Sequence, residues 1–99
     1  MITVDAIRSR VRNSFETIVS DLVGLVAIPS VSASSHDQSQ VARSAEHVAS
    51  LLRETGLEAR VLSAPGPDGA PGRPAVLAHA DGPAGAPHVL LYAHHDVQP

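Results

Sequence analysis

Residues 94 to 96 read His-His-Asp, and they stand at the end of an apolar run, Val89 to Ala93. An imidazole and a carboxylate two positions apart can do chemistry together. Side chains alternate along an extended chain, so His94 and Asp96 are expected on one face and His95 on the other. Two uses of the pair are open. Both side chains can bind a metal ion. Alternatively, His94 binds the ion through one ring nitrogen, and Asp96 accepts the proton of the other, fixing the tautomer and raising the basicity of the ring. The bland alternative is an ordinary polar strand end. A second His-x-Asp, His79 to Asp81, runs directly into Gly82-Pro83, so Asp81 is expected to serve a turn.

The remaining histidines have simpler readings. His36 lies among Ser and Asp and is expected to be solvated. His47 flanks the apolar stripe of a helix and belongs to its exposed edge. His88 follows Pro87 and reads as surface. Glu46, Glu54 and Glu58 sit on or beside that helix and are expected on its outer face. Ser30, Ser32, Ser34 and Ser35 raise the thought of a nucleophile. No Gly-x-Ser-x-Gly elbow surrounds them, and they read as a polar linker.

Composition narrows the chemistry. The chain has no cysteine, which excludes disulfides, thiolate metal sites and a cysteine nucleophile. Any metal must be held by His and carboxylates. The net charge is -3 without a basic cluster, so neither nucleic acid nor an anionic membrane surface is an expected partner. The longest apolar patch, Leu22 to Ile28, is too short to span a bilayer. Residues 1 to 13 carry charges and no apolar core, so no signal peptide is expected and the default compartment is the cytoplasm. Aromatic residues make up 2% of the 99 residues, so a core must be built from Val, Leu, Ile and Ala.

The elements that must position the pair can be read from periodicity. Val4, Ile7, Val11, Phe15, Ile18, Leu22 and Leu25 form one stripe of a helix over about Val4 to Ala27, with Thr3 or Asp5 at its start and Phe15 in the core. Pro29 ends it, and an extended connection, "IPSVSASS", follows. A second helix spans about Asp37 to Thr55, with Val41, Ala45, Val48 and Leu52 on one face, Ser35 or Asp37 as cap and Gly56 closing it in a left-handed conformation. "LEARVLSA" and "AVLAHAD" read as strands around a Pro- and Gly-rich loop. "HVLLYAHHDV" reads as a third strand, covered on both faces because its centre is continuously apolar. The order helix-helix-strand-strand-strand gives an α/β fold and looks like the opening piece of a larger domain. Open α/β sheets place ligand-binding groups beyond the carboxyl ends of their strands, where His94 and Asp96 stand.

"LLYAHHDVQP", Leu90 to Pro99, resembles the first metal-site motif of the M20 family of metallopeptidases: an apolar strand, a small residue, then His-x-Asp-Val followed closely by Pro. "LVAIPSVS", Leu25 to Ser32, and the helix ending "LLRETGLEARV" are similar to that family's preceding elements, in the same order. The resemblance covers nearly the whole chain. It implies the opening part of a zinc-exopeptidase-like three-layer sandwich, with residues 1–99 as the amino-terminal portion of a catalytic domain and no second domain. It implies that His94 binds one of two divalent metal ions, zinc foremost with manganese or cobalt as alternatives. Asp96 then belongs to the catalytic machinery as the carboxylate that orients His94, and His95 takes a variable position without a role. Gln98 is similar to the dipeptidase and carnosinase-like branch, whereas Ala93 stands where glycine is frequent.

The implied reaction is hydrolysis of a peptide bond in a small, dipeptide-type substrate. A metal pair polarises the carbonyl and activates water, and a glutamate moves the proton. A homodimer is compatible with the full-length form. The bridging aspartate, the general base and the other ligands lie further along in the family. One histidine does not hold zinc tightly, since catalytic sites use about three protein ligands, so the 99-residue chain alone is expected to be inactive. Two alternatives stand beside this: the same scaffold hydrolysing N-acyl amino acid amides, and a short non-catalytic protein used for binding or assembly.

Overall fold

The computed structural model describes residues 1–99 as three helices followed by a two-stranded antiparallel sheet, a small α/β fold. The helices are α1 (Val4–Asn13), α2 (Phe15–Val26) and α3 (Gln38–Glu54), and the strands are β1 (Glu58–Leu62) and β2 (Ala75–His79).

Thr3 caps α1 by accepting from the Ala6 amide at 3.1 Å. Asp5 lies in its first turn and Arg10 and Arg12 in its last, which suits the helix dipole. The single helix expected over Val4–Ala27 is two. Ser14 leaves helical geometry at φ -98°, ψ 2°, and serves both as the end of α1 and the start of α2. Asn13 and Ser14 are weak helix formers whose side chains compete for the backbone. The stripe is present but uncovered. No residue of α1 or α2 is buried, and Phe15, expected in the core, is 59% exposed.

The third helix is the centre of the molecule. Asp37 is its cap, accepting from the Ser39 amide at 3.0 Å and from the Ser39 hydroxyl at 2.6 Å. These bonds hold the Asp37 carboxyl below its usual range. At the other end, Gly56 adopts φ +89°. The Gly56 amide returns to the Arg53 carbonyl at 2.9 Å and the Leu57 amide to Leu52 at 3.3 Å, the paired bonds of a Schellman closure. Val41, Ser44, Ala45 and Ala49 are buried along one stripe. Ile28, Ser30 and Val31 are buried as well, so the segment expected to be a polar connection contributes to the core.

Strands β1 and β2 pair with Glu58 opposite His79 and Leu62 opposite Ala75. Ala59, Val61, Val76 and Ala78 are half-buried and alternate with exposed residues. One face of the sheet therefore lies on α3, which contacts both strands, and the other is open. The third strand expected over Val89–Ala93 does not form. Residues 89 to 92 are 80 to 90% exposed and belong to no ladder. The order is therefore helix-helix-helix-strand-strand. An apolar run declares that a segment is suited to burial, but a strand also needs a partner for its amides and carbonyls.

The connection between β1 and β2, residues 63–74, is held by its own backbone. Gly66 donates to Ala70 at 2.7 Å, Gly72 donates to Ala64 at 2.7 Å, and Ser63 Oγ donates to the Gly72 carbonyl at 3.1 Å. A Cβ on Gly72 would lie 2.5 Å from the Ala64 oxygen. Gly72→Ala is therefore expected to open this loop. Amide spectra should show the change beyond residues 63–74, at Ser32 and His95, because the loop's last residues reach them.

Candidate metal-ligand site

Residues 94 to 97 run beside the segment that follows α2. The Val97 amide donates to the Ser30 carbonyl at 3.1 Å. The His95 carbonyl accepts from Ser44 Oγ at 3.1 Å and from Ser30 Oγ at 3.4 Å, both of them fully buried hydroxyls. The backbone is thus fixed on both sides of Asp96, and the expected alternation is realised without a strand ladder.

His94 and Asp96 share one side. His94 Nδ1 lies 2.9 Å from Asp96 Oδ1 and 3.1 Å from the Asp96 carbonyl. An ionised carboxylate and a carbonyl only accept, so Nδ1 carries the proton. The lone pair is then on Nε2 of a ring whose side chain is 74% exposed. The second carboxylate oxygen, Oδ2, accepts from Ser32 Oγ at 2.7 Å. Both oxygens are occupied by donors of this chain. The Ser32 bond first, and the His94 bond after it, hold the Asp96 carboxyl below its usual range, against a smaller opposing effect of burial.

His95 points the other way, into the molecule. Its Nε2 lies 3.2 Å from the Pro74 carbonyl and its Nδ1 3.0 Å from Ser44 Oγ. Pro74 can only accept, so a neutral ring donates from Nε2, and the single proton of the Ser44 hydroxyl is then shared between His95 Nδ1 and the His95 carbonyl. His95, expected to hold a variable position without a role, joins α3 to the residue that precedes β2.

The other candidates stay apart. His79 Nε2 and Asp81 Oδ1 are 3.6 Å apart at the end of β2, with side chains 64% and 96% exposed. Asp81 thus faces His79 across a loose surface contact. His36 and His88 are exposed, as are Glu46, Glu54 and Glu58. His47 is half-buried where α2 meets α3, near Gly24, instead of on an open edge. No group of three or more His, Cys, Asp or Glu side chains converges. The residues present fit one imidazole ligand with its orienting carboxylate. The rest of a catalytic donor set is not among them.

Three participants escaped the sequence reading: Ser32, Ser44 and Arg73, whose Nε donates to the Ser32 carbonyl. Their partners lie 64, 51 and 41 positions away, and nothing local announces such pairings. The one available signal was the pair Ile28 and Val31, apolar residues that flank Ser30 and run up to Ser32. Val31, Ser32, Arg73, Val97 and Gln98 line a cleft of about 450 Å³ beside Asp96. No helix is long and apolar enough to cross a membrane.

Comparison of the chain with family models, with curated proteins and with solved structures gives no match.

Proposed function

We propose that residues 1–99 contribute a metal-binding histidine to a peptidase of the M20 type, acting on small, dipeptide-type substrates. One observation carries the reading: His94 Nδ1 is held on Asp96 at 2.9 Å, which leaves Nε2 as an open, outward lone pair. Of the two uses open for the pair, this geometry favours the one in which Asp96 orients and His94 binds. In the proposal these residues are the amino-terminal portion of the catalytic domain, and α3 with its sheet forms part of that family's sandwich.

His94 would hold one divalent ion, zinc foremost, with manganese or cobalt as alternatives. When bound, a pair of such ions supplies polarisation of the scissile carbonyl and a water of lowered pKa. Asp96 keeps the ring in the Nδ1–H form and compensates the charge that accumulates on it. Ser30 and Ser44 hold the backbone that carries both residues. The remaining ligands and the general base come from outside residues 1–99.

The test is turnover of a dipeptide panel, with N-acyl amino acids as a second arm, by the polypeptide of the intact gene loaded with zinc, manganese or cobalt. Dipeptide hydrolysis is expected, and His94→Ala should reduce it to background. The 99-residue chain should bind zinc weakly, with the shift concentrated on His94 Nε2 in imidazole nitrogen spectra. Turnover that survives His94→Ala, or tight zinc binding that ignores it, sinks the reading.

A further inference from the structure

We infer that Ser32 is a positioning residue for the His94 imidazole, acting through Asp96. The inference rests on the peptidase reading only where zinc enters; the rest stands on the hydrogen-bond geometry.

A carboxylate held by one oxygen can swing about its last torsion, which is broad and roughly two-fold. Asp96 is held by both oxygens. Oδ1 receives His94 Nδ1–H at 2.9 Å, and Oδ2 receives the Ser32 hydroxyl at 2.7 Å. Two donors in fixed places define the plane of the group, and with it the direction in which Oδ1 accepts. Without Ser32, Oδ2 turns to water. The Nδ1 proton then has only the Asp96 carbonyl, at 3.1 Å, as a fixed acceptor. Free histidine prefers the proton on Nε2, the atom that must be bare to bind a metal. A well-aimed acceptor at Nδ1 is what reverses that preference.

Serine hydroxyls in loops commonly bond to backbone groups a few residues away. Ser32 instead bonds across 64 positions of sequence, and its own backbone is fixed for the purpose. Arg73 Nε donates to its carbonyl. Its neighbour Val31 is 8% exposed and Ser30 fully buried, and the Ser30 carbonyl receives the Val97 amide at 3.1 Å. The hydroxyl is therefore delivered to Asp96 by a segment that is itself part of the core. A surface serine meeting the nearest carboxylate would have none of these anchors.

The experiment measures imidazole nitrogen shifts of His94 in the metal-free 99-residue chain, well above neutral pH, for wild type, Ser32→Ala and Ser32→Thr. The wild type should hold the Nδ1–H form. Ser32→Ala should move the ring toward the Nε2–H form of free histidine, and Ser32→Thr, which keeps the hydroxyl, should restore it. Zinc affinity should follow, falling about tenfold in Ser32→Ala, the low end for groups behind a ligand. Should Ser32→Ala lose the amide spectrum of the fold, Ser32→Cys, a near-isostere with a weak donor, takes its place and should shift the ring in the same direction. A folded Ala or Cys variant with the wild-type tautomer overturns the inference, as does a folded Thr variant that fails to restore it. A wild-type chain that holds the tautomer but whose zinc binding ignores His94→Ala counts against the peptidase reading and leaves the role of Ser32 supported.

Discussion

Asp96→Ala is expected to weaken zinc binding at His94 by about 10- to 100-fold, the usual effect of removing the group behind a metal-binding imidazole. The variant loses more than a charge. Ser32 Oγ and His94 Nδ1 both donate to this carboxylate, at 2.7 and 2.9 Å, and each is left facing a methyl group. Asp96→Asn should fall between. Its amide oxygen can still receive the His94 proton, and its NH2 group can donate to Ser32, but the charge is gone. Isothermal titration with zinc separates the three proteins. Equal affinities would show that Asp96 does not act on the ring.

The same carboxylate links folding to pH. Ser32, then His94, hold it below its ordinary range, so the unfolded chain takes up the proton more readily than the folded one. The stability contributed is complete above the unfolded value, about pH 4. It is lost as pH falls through the lower folded value. Asp37, held down by Ser39, has the same sign. Acid unfolding followed by helix signal should therefore begin below about pH 4, and Asp96→Ala should flatten that part of the curve.

Much of the site was legible in the sequence because it depends on local geometry. Alternation alone placed His94 and Asp96 together and His95 opposite. The cap at Asp37 and the left-handed Gly56 follow from residue type, and the α3 stripe follows from spacing. The missing part is what lies across from each face. Val89–Ala93 reads as a covered strand and Phe15 as core because periodicity describes a surface's suitability for burial, not the presence of a cover. For the same reason the serines after α2 looked like linker. Their role is set by a pairing with residues 95–97 that no local pattern encodes.

The second large effect concerns those uncovered faces. A folded monomer of 10.2 kDa exposes about 5,300 Å², whereas this chain exposes 8064 Å². Its radius of gyration is 16.2 Å, against about 13 Å for a compact chain of this length. Much of the excess is apolar: Leu22, Val23 and Val26 on α2, and Val89, Leu90, Leu91 and Tyr92 beyond the sheet, are each more than half exposed. Leu22, Val23, Val26 and Ala27 also line a hollow without polar residues. Contiguous apolar surface of this kind associates in water. The 99-residue chain is expected to sediment above monomer mass at micromolar concentration and to bind a hydrophobic dye. Leu22→Glu combined with Leu91→Glu should shift it strongly toward monomer and reduce the dye signal. A monodisperse wild-type monomer that melts in one sharp transition would contradict this.

The hairpin that joins β1 to β2 ends in Arg73 and Pro74, which hold Ser32 and His95 respectively. Sheet registration thereby becomes a ruler for the imidazole pair. A slip of one residue in the pairing of Leu62 with Ala75 would displace the Pro74 oxygen by about 3.3 Å, more than the length of the bond it makes. Both anchors would let go at once. Alignment of two strands that carry no chemistry of their own thus sets whether His94 and His95 stand where they do.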